Sequence, residues 1–412
     1  MPARPPLPSI AEHLARVLAL AEPRVGRGIP LNRAAGLRLA ADATSTLAVP
    51  PFDNSAMDGF ALHAVDLAGE GPWTFPVAGD IAAGSPAVAC PPGAAVRVMT
   101  GAPVPPGPGI VVVPVEQTTT APGPVPLPSR VTVTASDPAR AHVRPAGSGL
   151  PAGSVVATAG ALLDAGTLAA LVSAGVEKVD VHPAPTVAVI STGDELVAWP
   201  GAPGEAQLPD SNLPMITALS SANGAGDVRP CRAGDRDADL AALLDEASAT
   251  DIIVTTGGIS AGAYDVVRAT VGPTGRAWFG RVDQRPGGPQ GAGTWNGAAL
   301  LCLPGNPVAA YVSFHLYVAP LIAACAGSPD PARRARLTAR PCAGFPAARG
   351  TSPQIVPVRL DLSGTVPVAH PFSASRSASS DVTALTGIDG YVVCEPGAEI
   401  HAGPLTVHLT RS

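Results

Sequence analysis

The chain has no Cys-x-x-Cys pair, no basic tract and no uninterrupted apolar run of membrane-spanning length. Each absence removes a class of function. The six cysteines (Cys90, Cys231, Cys302, Cys325, Cys342 and Cys394) lie far apart. They read as buried thiols in a reducing compartment, neither a disulfide framework nor a zinc site. A formal charge of −6 without a basic patch argues against nucleic acid as the main partner, while leaving room for a small anion held by amides and a few arginines. A membrane helix needs about 20 apolar residues in succession, so no membrane partner is expected. Pro5, Pro6 and Pro8 stand where a secretory signal would be charged and then apolar, and the expected location is cytoplasmic. No Ser-His-Asp or Cys-His arrangement and no internal repeat are visible, and the eight histidines are scattered.

What is present is ample apolar material. With 412 residues the chain exceeds one hydrophobic core, so two to four domains are expected, and 46% hydrophobic content can fill them. The 48 prolines and 45 glycines are dispersed among apolar runs, which makes them punctuation; only Pro122 to Pro128 reads as a local loop.

Ser9 followed by Glu12 is a capping-box spacing, opening a helix to about Ala21 that Pro23 stops. Short β-type runs follow (Thr74 to Val77, Ala95 to Met99, Ile110 to Val115, Arg130 to Thr134), a β-rich insertion broken by Gly and Pro. A helix is expected from Asp164 to Ala174, with Ala169, Leu171 and Val172 facing a core, then a strand from Val176 to His182. After Pro329-Asp330-Pro331 the pattern is β again, through Ile355 to Leu360, Gly390 to Cys394 and Leu405 to Leu409.

Between these parts, three apolar runs each end in a polar, glycine-bearing loop. Val187 to Ile190 leads into Ser191-Thr192-Gly193-Asp194-Glu195, Asp251 to Val254 into Thr255-Thr256-Gly257-Gly258-Ile259-Ser260, and Ala298 to Leu303 into Pro304-Gly305-Asn306-Pro307. Continuously apolar strands separated by helical pattern imply a parallel sheet covered on both faces. All strand C-termini then share one edge, where ligands bind.

Asn306-Pro307 suits the start of the longest helical pattern, which ends near Cys325. Its N-terminus either binds an anion or is simply capped by Asn306. Gly257-Gly258 permits a sharp turn or an amide nest for phosphate. Asp194, Glu195, Asp210 and Asp265 stand at or just past strand ends, and Asp194, Asp210 and Asp265 are candidate Mg²⁺ ligands. For Asp210 a helix-capping role fits equally well. Arg281 and Arg285, before Pro286-Gly287-Gly288-Pro289, supply forked donors suited to an oxyanion.

Pro51-Phe52-Asp53-Asn54-Ser55-Ala56-Met57-Asp58-Gly59-Phe60-Ala61 and Met99-Thr100-Gly101-Ala102-Pro103-Val104-Pro105 closely resemble signatures of the molybdopterin molybdenumtransferases, the MoeA and gephyrin E-domain type. Ser191 to Leu196, Asp210 to Asn212, Gly257 to Gly262 with Asp265, and Leu303 to Val308 are similar to motifs of that family's cofactor-binding domain. The resemblance implies a multidomain α/β protein. Domain I (1–45 and 144–182) would be small and mixed, domain II (46–143) the β-rich insertion, domain III (183–327) a three-layer αβα molybdopterin-binding domain with a mostly parallel sheet, and domain IV (328–412) β-barrel-like. It implies a homodimer that inserts molybdate into adenylylated molybdopterin with Mg²⁺, releases AMP, and works with other molybdenum cofactor biosynthesis proteins. Asp58, Thr100, Asp265, Arg281 and Arg285 would act at the reacting groups. Ser191, Thr192, Gly193, Asp194, Gly257, Gly258, Ser260, Pro304, Gly305, Asn306 and Pro307 would bind the pterin nucleotide, with Asp58 and Thr100 reaching in from the second subunit.

Three positions depart from that pattern. Gly147-Ser148-Gly149 stands where the family has Gly-Glu-Asp, Arg281 and Arg285 replace two lysines, and Gly288 replaces a third. The lost carboxylates motivate a second reading, a pterin-binding paralogue acting as carrier or scaffold. A molybdopterin adenylyltransferase is the third, disfavoured by the four-domain layout. The preferred oxyanion, molybdate or tungstate, is not encoded in any motif.

Overall fold

The computed structural model describes residues 6–137, 140–234, 236–259, 265–346, 350–372, 381–398 and 403–410. The chain divides into two compact units: Met1–Arg27, Leu37–Ala40 and Asp180–Ser412, and Gly28–Gly36 with Ala41–Val179.

The first unit is built on a six-stranded sheet. Its strand order is Asp227–Ala233, Thr186–Thr192, Ile252–Thr256, Ala298–Leu303, Pro289–Trp295, Ala277–Arg281. The first four strands are parallel and the last two antiparallel. Both faces are covered, as the continuous apolar runs require. Val187, Val189, Ile252 and Val254 point into one core with the helices Asn212–Ala222 and Pro307–Cys325. Ala188, Ile190, Ile253 and Leu300 point into the opposite one with Leu240, Leu244, Val266 and Val267. The alternation is the two-residue period of a strand buried on both sides.

Pro307–Cys325 is long and apolar enough to cross a membrane, contrary to the expectation that no run approaches that length, but it is mostly buried inside the unit and serves as its core helix. Phe314–Val318 within it is wound as a π-turn. The helix Ile10–Leu18 lies in this unit, whereas the family resemblance implies that it belongs with residues 144–182. Its capping box is formed, with Glu12 N donating to Ser9 Oγ at 3.2 Å and Ser9 N to Glu12 Oε2 at 2.7 Å. Val17 is fully buried, and Ile10 and Leu14 pack on the same core. His13 sits edge-on to Tyr317 and tilted against Trp278, and the Arg16 guanidinium lies 4.2 Å above the Trp278 ring. The unit ends in a closed five-stranded barrel: Arg336–Pro341, Val368–Pro371, Gln354–Asp361, Gly390–Cys394, Leu405–Leu409.

The second unit carries a five-stranded sheet, Ile110–Pro114, Gly59–His63, Ala95–Val98, Trp73–Ile81, Arg130–Val133. The return segment pairs beside it, Val143 with Ser55 and Arg144 with Asn54. The helix Ala165–Ser173 corrects one expectation. Leu171 is buried, but Ala169 is exposed and Val172 is 66% exposed. Nearly every position of that helix is apolar, so periodicity alone does not select its inner face.

Two buried histidines make the first unit sensitive to acid. Burial, helped by Arg16, pushes His13 down to about 4, and burial, helped by Arg334, pushes His315 down to about 3. A free histidine titrates near 6.5. As pH falls below that value the unfolded chain gains protons that the folded unit refuses, so stability declines. Denaturant midpoints of this unit should fall between about pH 7 and pH 5, each histidine contributing up to ~1.4 kcal/mol per pH unit. His13→Leu should flatten the slope; an unchanged slope would refute the assignment.

Candidate functional site

Register fixes where the chemistry can emerge. Ser191 pairs with Thr256 and Thr256 with Leu303, so the loops after Thr192, Thr256 and Leu303 start side by side. Pro289 begins the next strand at that same edge, and Arg281 pairs with it. The 281–289 turn therefore lies along the edge too, four strand spacings or roughly 19 Å from Thr192.

The three glycine loops touch. A β-carbon on Gly257 (φ +92°) would sit 2.8 Å from the Thr192 carbonyl oxygen, and one on Gly305 would sit 3.3 Å from Gly257 Cα. Gly258 (φ +63°) lies against the Thr192 hydroxyl, 3.2 Å from where its β-carbon would stand. Thr192 Oγ1 donates to the Thr256 carbonyl at 3.3 Å. Together these residues form one floor with no room for side chains. A fourth segment joins it, since Asn212 Nδ2 donates to the Gly305 carbonyl at 2.7 Å. The Thr256 hydroxyl and Asn212 Oδ1 are buried without a hydrogen-bond partner, an arrangement that favours a ligand or ordered water here.

Several expected amides are already engaged. Gly257 N donates to the Leu303 carbonyl at 3.1 Å, so the nest imagined at Gly257-Gly258 loses one member. Asn306 Oδ1 accepts from Val308 and Ala309 amides at 3.2 and 3.4 Å, with Pro307 at the first helical position; capping is its observed role. Pro304 is buried ahead of it. Gly193 (φ +142°) lets the first loop turn toward Asp194.

The carboxylates do not gather. Among the described residues, no group of three or more His, Cys, Asp or Glu side chains is placed to hold a metal. Asp210 is buried, accepting from the Ser191 hydroxyl through Oδ2 and from Leu213 N at 3.1 Å through Oδ1. It ties strand to helix. Asp194 is exposed and lies against Gly234, whose β-carbon would meet Asp194 Oδ1 at 2.7 Å. Asp265 is half-buried at the start of the helix Val266–Val271 without capping it. Ser260 lies outside the described residues. Asp194 and Asp265 are hard oxygen donors of the number that Mg²⁺ takes from protein when phosphates and waters supply the rest.

Arg281 and Arg285 are exposed, with no ion-pair or hydrogen-bond partner for either guanidinium among the described residues. Their turn is rigid for reasons the sequence pattern does not display. Gln284 Nε2 donates to the Pro286 carbonyl at 3.0 Å, and buried Gln290 donates to the Gly287 carbonyl and Ser313 Oγ, both at 2.7 Å. Arg285 N donates to the Pro353 carbonyl of the barrel at 2.9 Å. The Arg281 guanidinium lies over Gly288, where a β-carbon would meet Nη2 at 3.1 Å. A side chain at 288 would displace it.

In the second unit, Asp58 Oδ1 accepts from Thr100 N at 2.6 Å and Thr100 Oγ1 at 2.8 Å. Those two bonds hold its pKa below the usual carboxylate range, so it is an anion, unsuited to proton donation at neutral pH. Asp53 Oδ1 accepts from Ala146 N at 2.7 Å, and Gly147 N and Gly149 N donate to the Pro50 and Val49 carbonyls. The two signatures and the Gly147-Ser148-Gly149 turn thus form one surface, with Ser148 exposed.

Gly257→Ala tests the floor. The left-handed backbone and the contact with Thr192 should cost roughly 2–5 kcal/mol, read as a lower unfolding midpoint. Asn306→Ala, which removes only a cap, should cost about 1 kcal/mol. Equal effects would show that the floor is loosely packed.

Residues 8–175 match the family described as the MoeA N-terminal region (domains I and II), and residues 188–324 the probable molybdopterin binding domain. Molybdopterin molybdenumtransferase 2 of Mycobacterium tuberculosis is 38% identical over 317 residues, 74% of this chain and 76% of the relative. The molybdopterin molybdenumtransferase of Haemophilus influenzae is 33% identical over 72% of each chain. A solved molybdopterin biosynthesis MoeA protein from Pyrococcus horikosii superposes with a TM-score of 0.79 at 25% identity, covering 99% of this chain and 100% of that one. With its glycine floor, its arginine turn and both sequence signatures in place, the chain belongs to the MoeA family of molybdopterin molybdenumtransferases.

Proposed function

We propose that this protein inserts molybdate into adenylylated molybdopterin with release of AMP, in a Mg²⁺-dependent reaction carried out by a cytoplasmic homodimer. The observation that supports it most is the single sheet edge that carries the Thr192, Gly257-Gly258 and Gly305 floor and two arginines whose guanidiniums have no partner among the described residues. A pterin nucleotide would lie along the floor formed by Gly257, Gly258 and Gly305. The Gly258 backbone would face its phosphates, and the capped start of the Pro307–Cys325 helix would contribute only its dipole. Arg281 and Arg285 would draw molybdate or a phosphate oxygen with forked hydrogen bonds. Mg²⁺ held by Asp194 and Asp265 would neutralise phosphate charge when bound.

The exposed apolar surface of the second unit supports the dimer. Leu47, Val155, Leu162 and Val172 are between 42% and 66% exposed, apolar surface that a second subunit would cover. In the dimer, anionic Asp58 and Thr100 would complete the crevice of the other subunit. The domain division at about 45, 143, 182 and 327 is part of this reading, with the first helix joining the α/β part.

A specific observation favours keeping the carrier reading as an alternative. Ser148 is exposed on the same surface as Asp58, so no carboxylate stands there. The decisive assay supplies adenylylated molybdopterin, Mg²⁺ and either molybdate or tungstate, and measures AMP. The proposed reaction should release AMP and yield active cofactor, with Asp58→Asn lowering the rate by at least tenfold. Tight pterin binding without AMP would establish the carrier, and a gain on Ser148→Glu would locate the lost function. ATP consumption with pyrophosphate release would instead indicate adenylylation.

A further inference from the structure

The seam between the core helix and the barrel, both within the first unit, holds a buried cluster that the site described above does not use. At its centre is His315, in the π-turn Phe314–Val318. The residue is 2% exposed, and neither Nδ1 nor Nε2 has a hydrogen-bond partner among the described residues. Burying an imidazole with both nitrogens idle is unfavourable, and π-turns inside α-helices often mark functional sites. Aromatic rings surround it. Tyr311 and Phe314 meet it edge-on, at 4.6 and 5.5 Å between centroids, and Tyr391 of the barrel lies 6.4 Å away.

The barrel brings cationic side chains to the same place. Arg336 pairs with His408, and His408 with Tyr391, so the three share one face of neighbouring strands. That face is the outer one, because Val392 and Val407, one residue along, fill the barrel interior. The Tyr391 and His408 rings stack at 5.1 Å. Arg334 stands just before the strand Arg336–Pro341. Its Nη1 donates to the Arg333 carbonyl at 3.2 Å, while Nη2 is buried without a partner among the described residues. The Arg334 charge acts on His315, Tyr391 and His408, and the Arg336 charge on Tyr391 and His408. Among the described residues, neither arginine is paired with a carboxylate.

A guanidinium drawn out of water needs a counter-charge. A carboxylate supplies it elsewhere in the chain, as Asp80 does for Arg97. At the seam there are nitrogen donors and cations but no such partner. We propose that this seam binds a small inorganic anion, held by Arg334 Nη2 and the His315 ring and enclosed by Tyr391 and His408. Nothing at the glycine floor is required for it. A bound anion would also anchor the middle of the helix whose Ser313 and Tyr317 hold the arginine turn.

The test uses the full chain carrying Arg281→Ala and Arg285→Ala, which removes the oxyanion donors of the crevice. Gluconate, too large for an enclosed site, serves as the background anion. Sulfate and chloride are added separately and followed by calorimetry and by the ¹⁵N resonances of the histidine rings, His315 being assigned through His315→Gln. One of the two should bind at one site per chain and move the His315 resonance, and its identity separates oxyanion from halide. Arg334→Met in that background should weaken binding about tenfold, with Arg334→Lys keeping part of the affinity. No saturable binding of either anion, a His315 resonance unmoved at saturation, or affinity unchanged in Arg334→Met would overturn the site. Should Arg334→Met fail to fold, the His315 resonance of the parent protein decides.

Discussion

Burial of the central strands on both faces is the constraint from which the rest of the first unit follows. Val187, Ala188, Val189 and Ile190 alternate between two apolar cores, as do Ile252 to Val254 and Leu300 to Cys302. A strand so enclosed has no solvent-facing side on which to display polar groups. Polar chemistry must emerge where the strands stop, and parallel order makes four of them stop together. Glycine then becomes necessary at the stops. Loops spaced one strand apart crowd one another, and Gly257, Gly258 and Gly305 are where a β-carbon would collide or nearly so.

The cationic end of the edge is organised by different means. The two antiparallel strands reverse at residues 281–289, and the turn is held from beneath by amide side chains. Gln284 accepts from the Tyr317 hydroxyl of the core helix, and Gln290 donates to Ser313 of the same helix. Buried neutral amides with partners on all sides place a loop without adding charge. The charged side chains of the turn are Arg281, Asp283 and Arg285, and the Pro353 carbonyl ties it to the barrel. The barrel thus has a mechanical part in positioning Arg285 even though none of its residues reaches the floor.

Legibility followed the strength of local signals. The strands at 298–303, 390–394 and 405–409 were readable to the residue, because apolar runs bounded by Gly or Pro admit few alternatives. Ser9-Glu12 announced a helix but not its address; that was decided by Val17 and His13 packing on Tyr317 and the core. The Ala165–Ser173 helix was legible as a helix and illegible in orientation, since its composition has no polar face. Site residues were found through glycines and carboxylates, which advertise themselves. Asn212 was marked only as part of the Asp210 to Asn212 motif, and Gln284 and Gln290 were missed, for an amide side chain's role depends on which carbonyl the fold brings to it. Asp210 accepts from Leu213 N, in keeping with its helix-capping alternative, and its bond from Ser191 makes it a strut as well.

The departures at Ser148 and Gly288 gain meaning when considered by sign. The turn at Gly147-Ser148-Gly149 lacks negative charge on the surface that carries anionic Asp58. The turn at Gly288 lacks a positive charge, and the Arg281 guanidinium lies over the space so created. If the two surfaces face each other across a dimer, as proposed, two carboxylates are missing from one wall against a single lysine from the other, so the facing walls are left more positive than in the family pattern. Restoring one carboxylate by Ser148→Glu moves that balance back toward the family pattern, which is why its effect on turnover separates a lost charge from a lost position.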